Sequence, residues 1–362
     1  MANNLKMLNC SLNAVENLYI DKSWNKIFKE RGGVRIPCAS PLDEDSFVQD
    51  QPSSIWDIMY RDGIQIVEND GFLSMIQTEP KSALNRPKDI YIIDSQTRES
   101  CTGANTGTIL LPDESTPIDS LDASWQVQLK SGEKYSWYRF FTDNGRDIKE
   151  TPSNALVVID RYLLADYESG LQNLYDILEE VLPQDFISDY HVLLVIDSDQ
   201  IDVDRKTQQS RHNVAGIAPA VHEAFCEMRP YPITTEILGI RRLGRPAAST
   251  VEKSLSDLFS DSHNRRIFSN SFLIRAEHGF DAIKDSPYDE NIFLARFTQT
   301  IWFDALYSGV SNRYQDSASL PVKACDDEIK VLRKVMSPDS QCEYFINGEK
   351  GDPQKIKNRL LR

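Results

Sequence analysis

Histidine, paired cysteine and positive charge are all scarce in this sequence. It has 5 His in 362 residues, so imidazole chemistry has few places to reside. The 6 cysteines (Cys10, Cys38, Cys101, Cys226, Cys325 and Cys342) are scattered, with no C-x-x-C pair and no nearby histidine at ligand spacing. A zinc-ribbon site needs paired ligands on a tight turn, and that class is excluded. Lys and Arg number 40 against 55 Asp and Glu, a formal charge of −15. A surface this acidic repels polyanions at long range, which argues against general nucleic-acid coating and leaves room only for a local basic cleft. The opening residues, MANNLKMLNCSLNAVENLYI, lack a charged start followed by an apolar core, so no secretory leader is expected. The most apolar stretch, residues 292–310, carries Arg296 and Asp304 and reads as a buried helix rather than a membrane span. No internal repeat or low-complexity run is present. The cytoplasm, where the cysteines stay reduced, is the expected compartment.

What is there is a globular composition, 40% hydrophobic and 26% charged, over a length that suits two domains. Residues 1–150 read as an α+β or mostly β module. A helix is expected over 13–30 and a helical patch over 54–61. Strand-like runs follow at 63–70, 89–94, 124–129 and 135–141. The polar segment 141–154 marks a boundary. Beyond it, apolar strands at 155–164, 191–197 and 234–242 alternate with amphipathic helices at 169–183 and 214–228. That alternation predicts βαβ units with parallel pairing, an α/β domain over 151–310 with a mixed sheet and flanking helices. The hairpin RIFSNSFLIRAEHGF follows, and residues 311–362 read as a last helix and a basic tail.

In open parallel sheets, ligands bind outside the carboxyl ends of the strands. Asp160 and Arg161 end the apolar core of the first strand, Asp197 and Asp199 follow the second, and Arg241, Arg242 and Arg245 follow the third. Each acid also has an ordinary use as a turn former or helix cap. From residue 205 to 266 there are ten Lys or Arg against six Asp or Glu. That excess suits a phosphate, a phosphoinositide head group or a nucleic-acid backbone, and it equally suits two solvated loops. Among the histidines, His191 opens a strand, His222 lies in a helix pattern and His212 sits in the loop QQSRHN with nothing to pair it. His263 differs, because Arg265 follows at i+2 and strand residues two apart share a face. His278 stands at the far end of the same hairpin.

His263, Arg265 and Asn270 form H-x-R-x4-N, which resembles the phospholipase D signature H-x-K-x4-D. The surroundings strengthen the likeness. A strand ending in D-x-Y-L (Asp160, Tyr162, Leu163) leads through helix, strand, helix and strand to a histidine-led hairpin ending in Gly279, Phe280 and Asp281. That series is similar to the phospholipase D-like C-terminal domain of MIT-domain proteins and covers residues 154–310. The resemblance implies a phosphate-binding set of His263, Arg265, Arg266, Asn270, Arg241 and Arg242, with Asp160, Arg161 and His278 in support, and no cofactor. Active members pair two H-x-K motifs across one phosphate, one histidine attacking phosphorus and the other protonating the leaving group. This chain has one motif, with arginine for lysine and asparagine for aspartate. The departures favour binding over turnover, in a recognition role such as a component of a bacterial defence-type complex. Two other readings stay open: a metal-independent phosphodiesterase or nuclease acting as a homodimer through paired His263, and a structural partner protein.

Overall fold

The computed structural model describes residues 8–10, 34–38, 64–68, 71–83, 90–93, 105–107, 109–112, 123–130, 135–142, 152–204, 206–207, 209–241, 259, 265–276, 280, 290–296, 328–336 and 342–361. The chain forms two compact units, one of residues 1–123 with 297–322 and one of residues 124–296 with 323–362. The division falls at Ser124, earlier than the polar segment near residue 150, and the C-terminal residues join the second unit instead of forming an appendage. Among the described residues no helix is long and apolar enough to cross a membrane.

The first unit holds strands β1 (Leu8–Cys10), β2 (Val34–Cys38), β3 (Ile64–Glu68), β4 (Ile90–Ile93) and β5 (Ile109–Pro112), with helices α1 (Phe72–Thr78) and α2 (Pro80–Ala83) between β3 and β4. Their order is β3-β2-β1-β4-β5 and every pairing is parallel. This corrects the expected α+β or mostly β module, because parallel neighbours need long crossovers rather than hairpins. The strands at 63–70 and 89–94 are found. The runs missed were β1, three residues long, β2, which carries Pro37, and β5, four residues ending in Pro112, since none alternates enough to be read. The expected helices over 13–30 and 54–61 lie outside the described residues.

The second unit is built on a mixed sheet of nine strands. They are β6 (Ala123–Leu129), β7 (Ala155–Ile159), β8 (Tyr190–Asp197), β9 (Ile233–Ile240), β10 (Arg265–Ser269), β11 (Phe272–Ala276), β12 (Glu290–Arg296), β13 (Cys342–Ile346) and β14 (Glu349–Lys350), in the order β14-β13-β9-β8-β7-β10-β11-β12-β6. The centre β7-β8-β9 is parallel, as expected from the helices α4 (Tyr167–Val181) and α5 (Val214–Cys226) that connect it. Both helices cover one face, where Leu156, Val158, Val192, Leu194, Ile196 and Ile237 meet Leu174, Ile177, Leu178, Val181, Val221 and Phe225 in one core. Asp166 caps α4 by accepting from Ser169 N at 3.2 Å, and Asn213 caps α5 by accepting from Gly216 N at 2.8 Å.

Two further segments differ from expectation. Residues 135–141 were read as a strand from their aromatics, and 137–142 instead form helix α3 (Trp137–Thr142). The aromatics sit at helical spacing: Trp137, Phe140 and Phe141 are buried together, Trp137 Nε1 donates to Asn173 Oδ1 on α4, and Ser136 Oγ accepts from Arg139 N. Residues 292–310 were read as a helix; 292–296 instead belong to β12, which pairs antiparallel to β11 with Arg275 opposite Phe293, and 297–310 lie outside the described residues. The run Ile-Phe-Leu satisfies a strand as well as a helix, and the open edge of β11 decides it.

The opposite face is covered by helix 328–335 and the C-terminal segment. Ile329, Leu332, Val335, Leu360 and Leu361 are buried there, Asn358 Nδ2 donates to Leu156 O, and Arg333 Nε donates to Leu361 O. The hairpin β13–β14 turns through Asn347 and Gly348, both at positive φ (50° and 82°), the pattern of a two-residue primed turn. Asn347 also accepts from Thr235 N through its side chain, locking the hairpin onto β9.

A close approach fixes the turn after β7. A Cβ built at Gly170 of α4 would overlap the Leu163 carbonyl oxygen, so helix and turn touch through backbone. Gly170→Ala is expected to destabilise the second unit by about 2 kcal/mol, the usual scale for overpacking. Urea unfolding checks it, and a loss under about 0.5 kcal/mol would mean that the turn moves freely.

Candidate functional site

The carboxyl ends of β7, β8 and β9 and the start of β10 lie along one edge, because β10 runs antiparallel to β7 with Arg266 opposite Ile159. Each strand hands its last polar residues to this edge. After β7, the carboxylate of Asp160 folds the chain back by accepting from Tyr162 N at 2.8 Å, and it also accepts from Arg265 Nε at 3.2 Å. After β8, Asp197 does the same for Asp199 N at 3.0 Å, while its second oxygen accepts from Arg161 Nε at 2.9 Å. Asp160 and Asp197 are buried. Both are therefore turn formers and anchors for a guanidinium at once. Arg161 and Arg265 converge on the ring of Tyr162, with their guanidinium carbons 4.9 Å and 5.5 Å from its centroid. Arg241, following β9, reaches back to Asp199 at 3.4 Å in an exposed pair.

The structure thus brings together Asp160, Arg161, Arg241 and Arg265 of the expected set. It separates two others. Arg266 points to the opposite face, where its guanidinium pairs with Glu328 at 2.5 Å, since adjacent strand residues alternate. Asn270 sits in the turn at the other end of β10, five residues and about 16 Å of strand from Arg265. Its side chain accepts from Asn154 N at 3.1 Å, and it is a buried clasp between two strands. Neither can reach a ligand held by Arg265. His263, Arg242, Arg245 and His278 lie outside the described residues. Phe280 of the G-F-D run packs against Trp137 at 5.9 Å as part of the core.

Among the described residues, five of the ten basic side chains over 205–266 are paired with carboxylates. Arg211 pairs with Asp204 at 2.9 Å, Arg229 with Glu179 at 2.7 Å, Arg241 with Asp199, Arg265 with Asp160 and Arg266 with Glu328. The hydrogen bond from Arg211, helped by the amides of Thr207 and Lys206, holds the Asp204 carboxyl at about 2, so that loop stays paired until pH falls toward that value. At the edge itself, three carboxylates (Asp160, Asp197, Asp199) balance three guanidiniums (Arg161, Arg241, Arg265). Long-range attraction of an anion is therefore weak here, and recognition rests on short-range hydrogen bonding.

The described histidines stand away from this edge or are already engaged. His212, expected to be unpaired, contacts Asp202 at 3.5 Å and packs on Tyr167. His191 opens β8 at its amino end, 3.7 Å from Glu236. His222 shares α5 with Cys226 four residues on, a pairing the sequence reading overlooked. The Cys226 sulfur lies 3.6 Å from both ring nitrogens, hence over the ring face rather than in line with either lone pair. Burial also pushes the Cys226 thiol up, so the pair is not an activated nucleophile. Signals for the site proper were legible as polar residues at strand ends. Tyr162, which organises both arginines, was noted only as part of D-x-Y-L.

No family model matches the chain, and no curated protein matches it either.

Proposed function

We propose that the second unit is a phospholipase D-like domain that recognises a phosphate-containing ligand without turning it over. The reading is supported by the way Arg161 and Arg265 are held. Each is anchored through Nε by a buried aspartate and steered by the Tyr162 ring, at the strand ends where α/β sheets take ligands. The Arg161 guanidinium, tethered at Nε, presents its terminal nitrogens as a fork for two phosphoryl oxygens, and both arginines keep their charge at any physiological pH. Turnover would need a second imidazole facing His263. Of the three described histidines, His191 opens the amino end of β8 and His222 lies within α5. His212, on the loop that leaves the carboxyl end of β8, is engaged by Asp202 and Tyr167. Among the described residues the arginines are paired with carboxylates rather than aligned as a basic track, which favours a small phosphorylated ligand over nucleic acid or a membrane surface.

Arg161→Met is expected to weaken binding of a fluorescent nucleoside monophosphate at least about tenfold, the scale of a charge-assisted hydrogen-bond pair. Fluorescence polarisation against the wild type measures it. Unchanged affinity would sink the reading. In parallel, cleavage of single- or double-stranded DNA in EDTA that disappears in His263→Ala would replace it with the dimeric nuclease.

A further inference from the structure

We infer that Asp199 is an internal stand-in for the ligand's anion, occupying Arg241 until a small phosphate ester displaces it. The inference rests on the reading above and names how the ligand enters.

The turn after β8 carries two acids of unlike character. Asp197 is 1% exposed and uses both oxygens, one on the Asp199 amide and one on Arg161 Nε. It is fixed. Asp199 is 47% exposed and makes one side-chain contact among the described residues, at 3.4 Å to an Arg241 that is itself 60% exposed. An exposed pair with one long contact contributes little, on the scale of an ordinary surface ion pair. Replacing its carboxylate by another oxyanion therefore costs little.

The cations on either side are arranged for such a replacement. β7 and β9 flank β8, about 10 Å apart across two strand spacings. Arg161 leans from the β7 side onto Asp197, and Arg241 leans from the β9 side onto Asp199. Among the described residues each is held through Nε alone, so the four terminal guanidinium nitrogens of the pair carry no hydrogen bond to those residues. Two forks facing one turn match the several oxygens of a phosphoryl group better than the two of a carboxylate. A phosphate monoester brings more charge than Asp199, and in its place it would engage the Arg241 fork and draw on that of Arg161. The same balance explains why a long polyanion is not favoured: of the three described carboxylates at this edge only Asp199 is exchangeable, and Asp160 and Asp197 are committed.

The test is a gain of binding. Wild type, Asp199→Asn and Asp199→Ser are titrated with inorganic phosphate and with a fluorescent nucleoside monophosphate, with Arg161→Met as the loss control. Phosphate-containing vesicles and a single-stranded oligonucleotide form the comparison arms. Removing the competing carboxylate is expected to tighten monophosphate binding about five- to tenfold in both Asp199 variants, with a matching increase in the phosphate-induced rise of the thermal midpoint. Equal or weaker binding in both variants, while the wild type binds and Arg161→Met does not, overturns the stand-in and leaves the recognition reading in place. No phosphate response in any variant overturns both. Tighter binding of vesicles or oligonucleotide than of monophosphate overturns the small-ligand assignment.

Discussion

Replacing Arg229 with methionine is expected to lower the thermal midpoint of the second unit by on the order of 10 °C, a loss of about 3 kcal/mol in a unit of this size. Arg229 closes the carboxyl end of α4. Its guanidinium donates to the main-chain carbonyls of Glu179, Leu182, Pro183 and Met228, and to the Glu179 carboxylate at 2.7 Å. A helix leaves its last carbonyls without intrahelical donors, and its dipole favours a cation at this end. Methionine fills the same space but strands those carbonyls under Tyr231, whose hydroxyl alone would still reach Pro183 O. The Glu179 carboxylate is half exposed and supplies the smaller part of the effect. Arg229→Lys should recover roughly a third of the loss, since an ammonium keeps the charge but not the planar fork. A fall of under about 2 °C in the methionine variant would mean that water serves the carbonyls equally well.

Arg229 also shows what could and could not be read from the chain beforehand. The strands β7, β8 and β9 and the helices between them were legible, because fully buried parallel strands read as unbroken apolar runs and their helices as apolar stripes. The charged residues around them were not. Ten basic residues between positions 205 and 266 suggest a positive surface only if their partners are unknown. Those partners come from far along the chain: Glu179 for Arg229, Asp160 for Arg265 and Glu328 for Arg266. Pairing across such separations depends on tertiary placement, which no local pattern encodes. The H-x-R-x4-N spacing does not translate into one cluster at its described positions, Arg265 and Asn270, for a related reason. Five strand residues carry Asn270 to the far end of the sheet, so a compact motif in sequence is a dispersed one in space. Strand-end position was the more faithful signal, since it gathers Asp160, Arg161, Asp197, Asp199 and Arg241 whatever their spacing.

The largest expected effect lies on the opposite face. Glu236→Leu should destabilise the second unit by about 3–5 kcal/mol and free the C-terminal segment to proteolysis, whereas Glu236→Gln should cost about 1 kcal/mol. Glu236 is fully buried on β9. One of its oxygens accepts from the Tyr344 hydroxyl on β13 and from the Lys357 amide at 2.7 Å, while the other faces His191 Nδ1 on β8 at 3.7 Å. Leucine removes the acceptor that the buried Tyr344 hydroxyl and the part-buried Lys357 amide share. Glutamine keeps an acceptor oxygen for both. The amide of Lys357 belongs to what reads in sequence as a basic tail. Its charges do face solvent, as at Lys355, but Asn358, Leu360 and Leu361 turn inward and close the core over β7. Urea unfolding and limited trypsin digestion separate the cases. Early cleavage after residue 350 in the leucine variant, with glutamine resembling wild type, is the expected outcome. Equal protection in both variants would show that apolar packing of Leu360 and Leu361 holds the segment without the buried carboxylate.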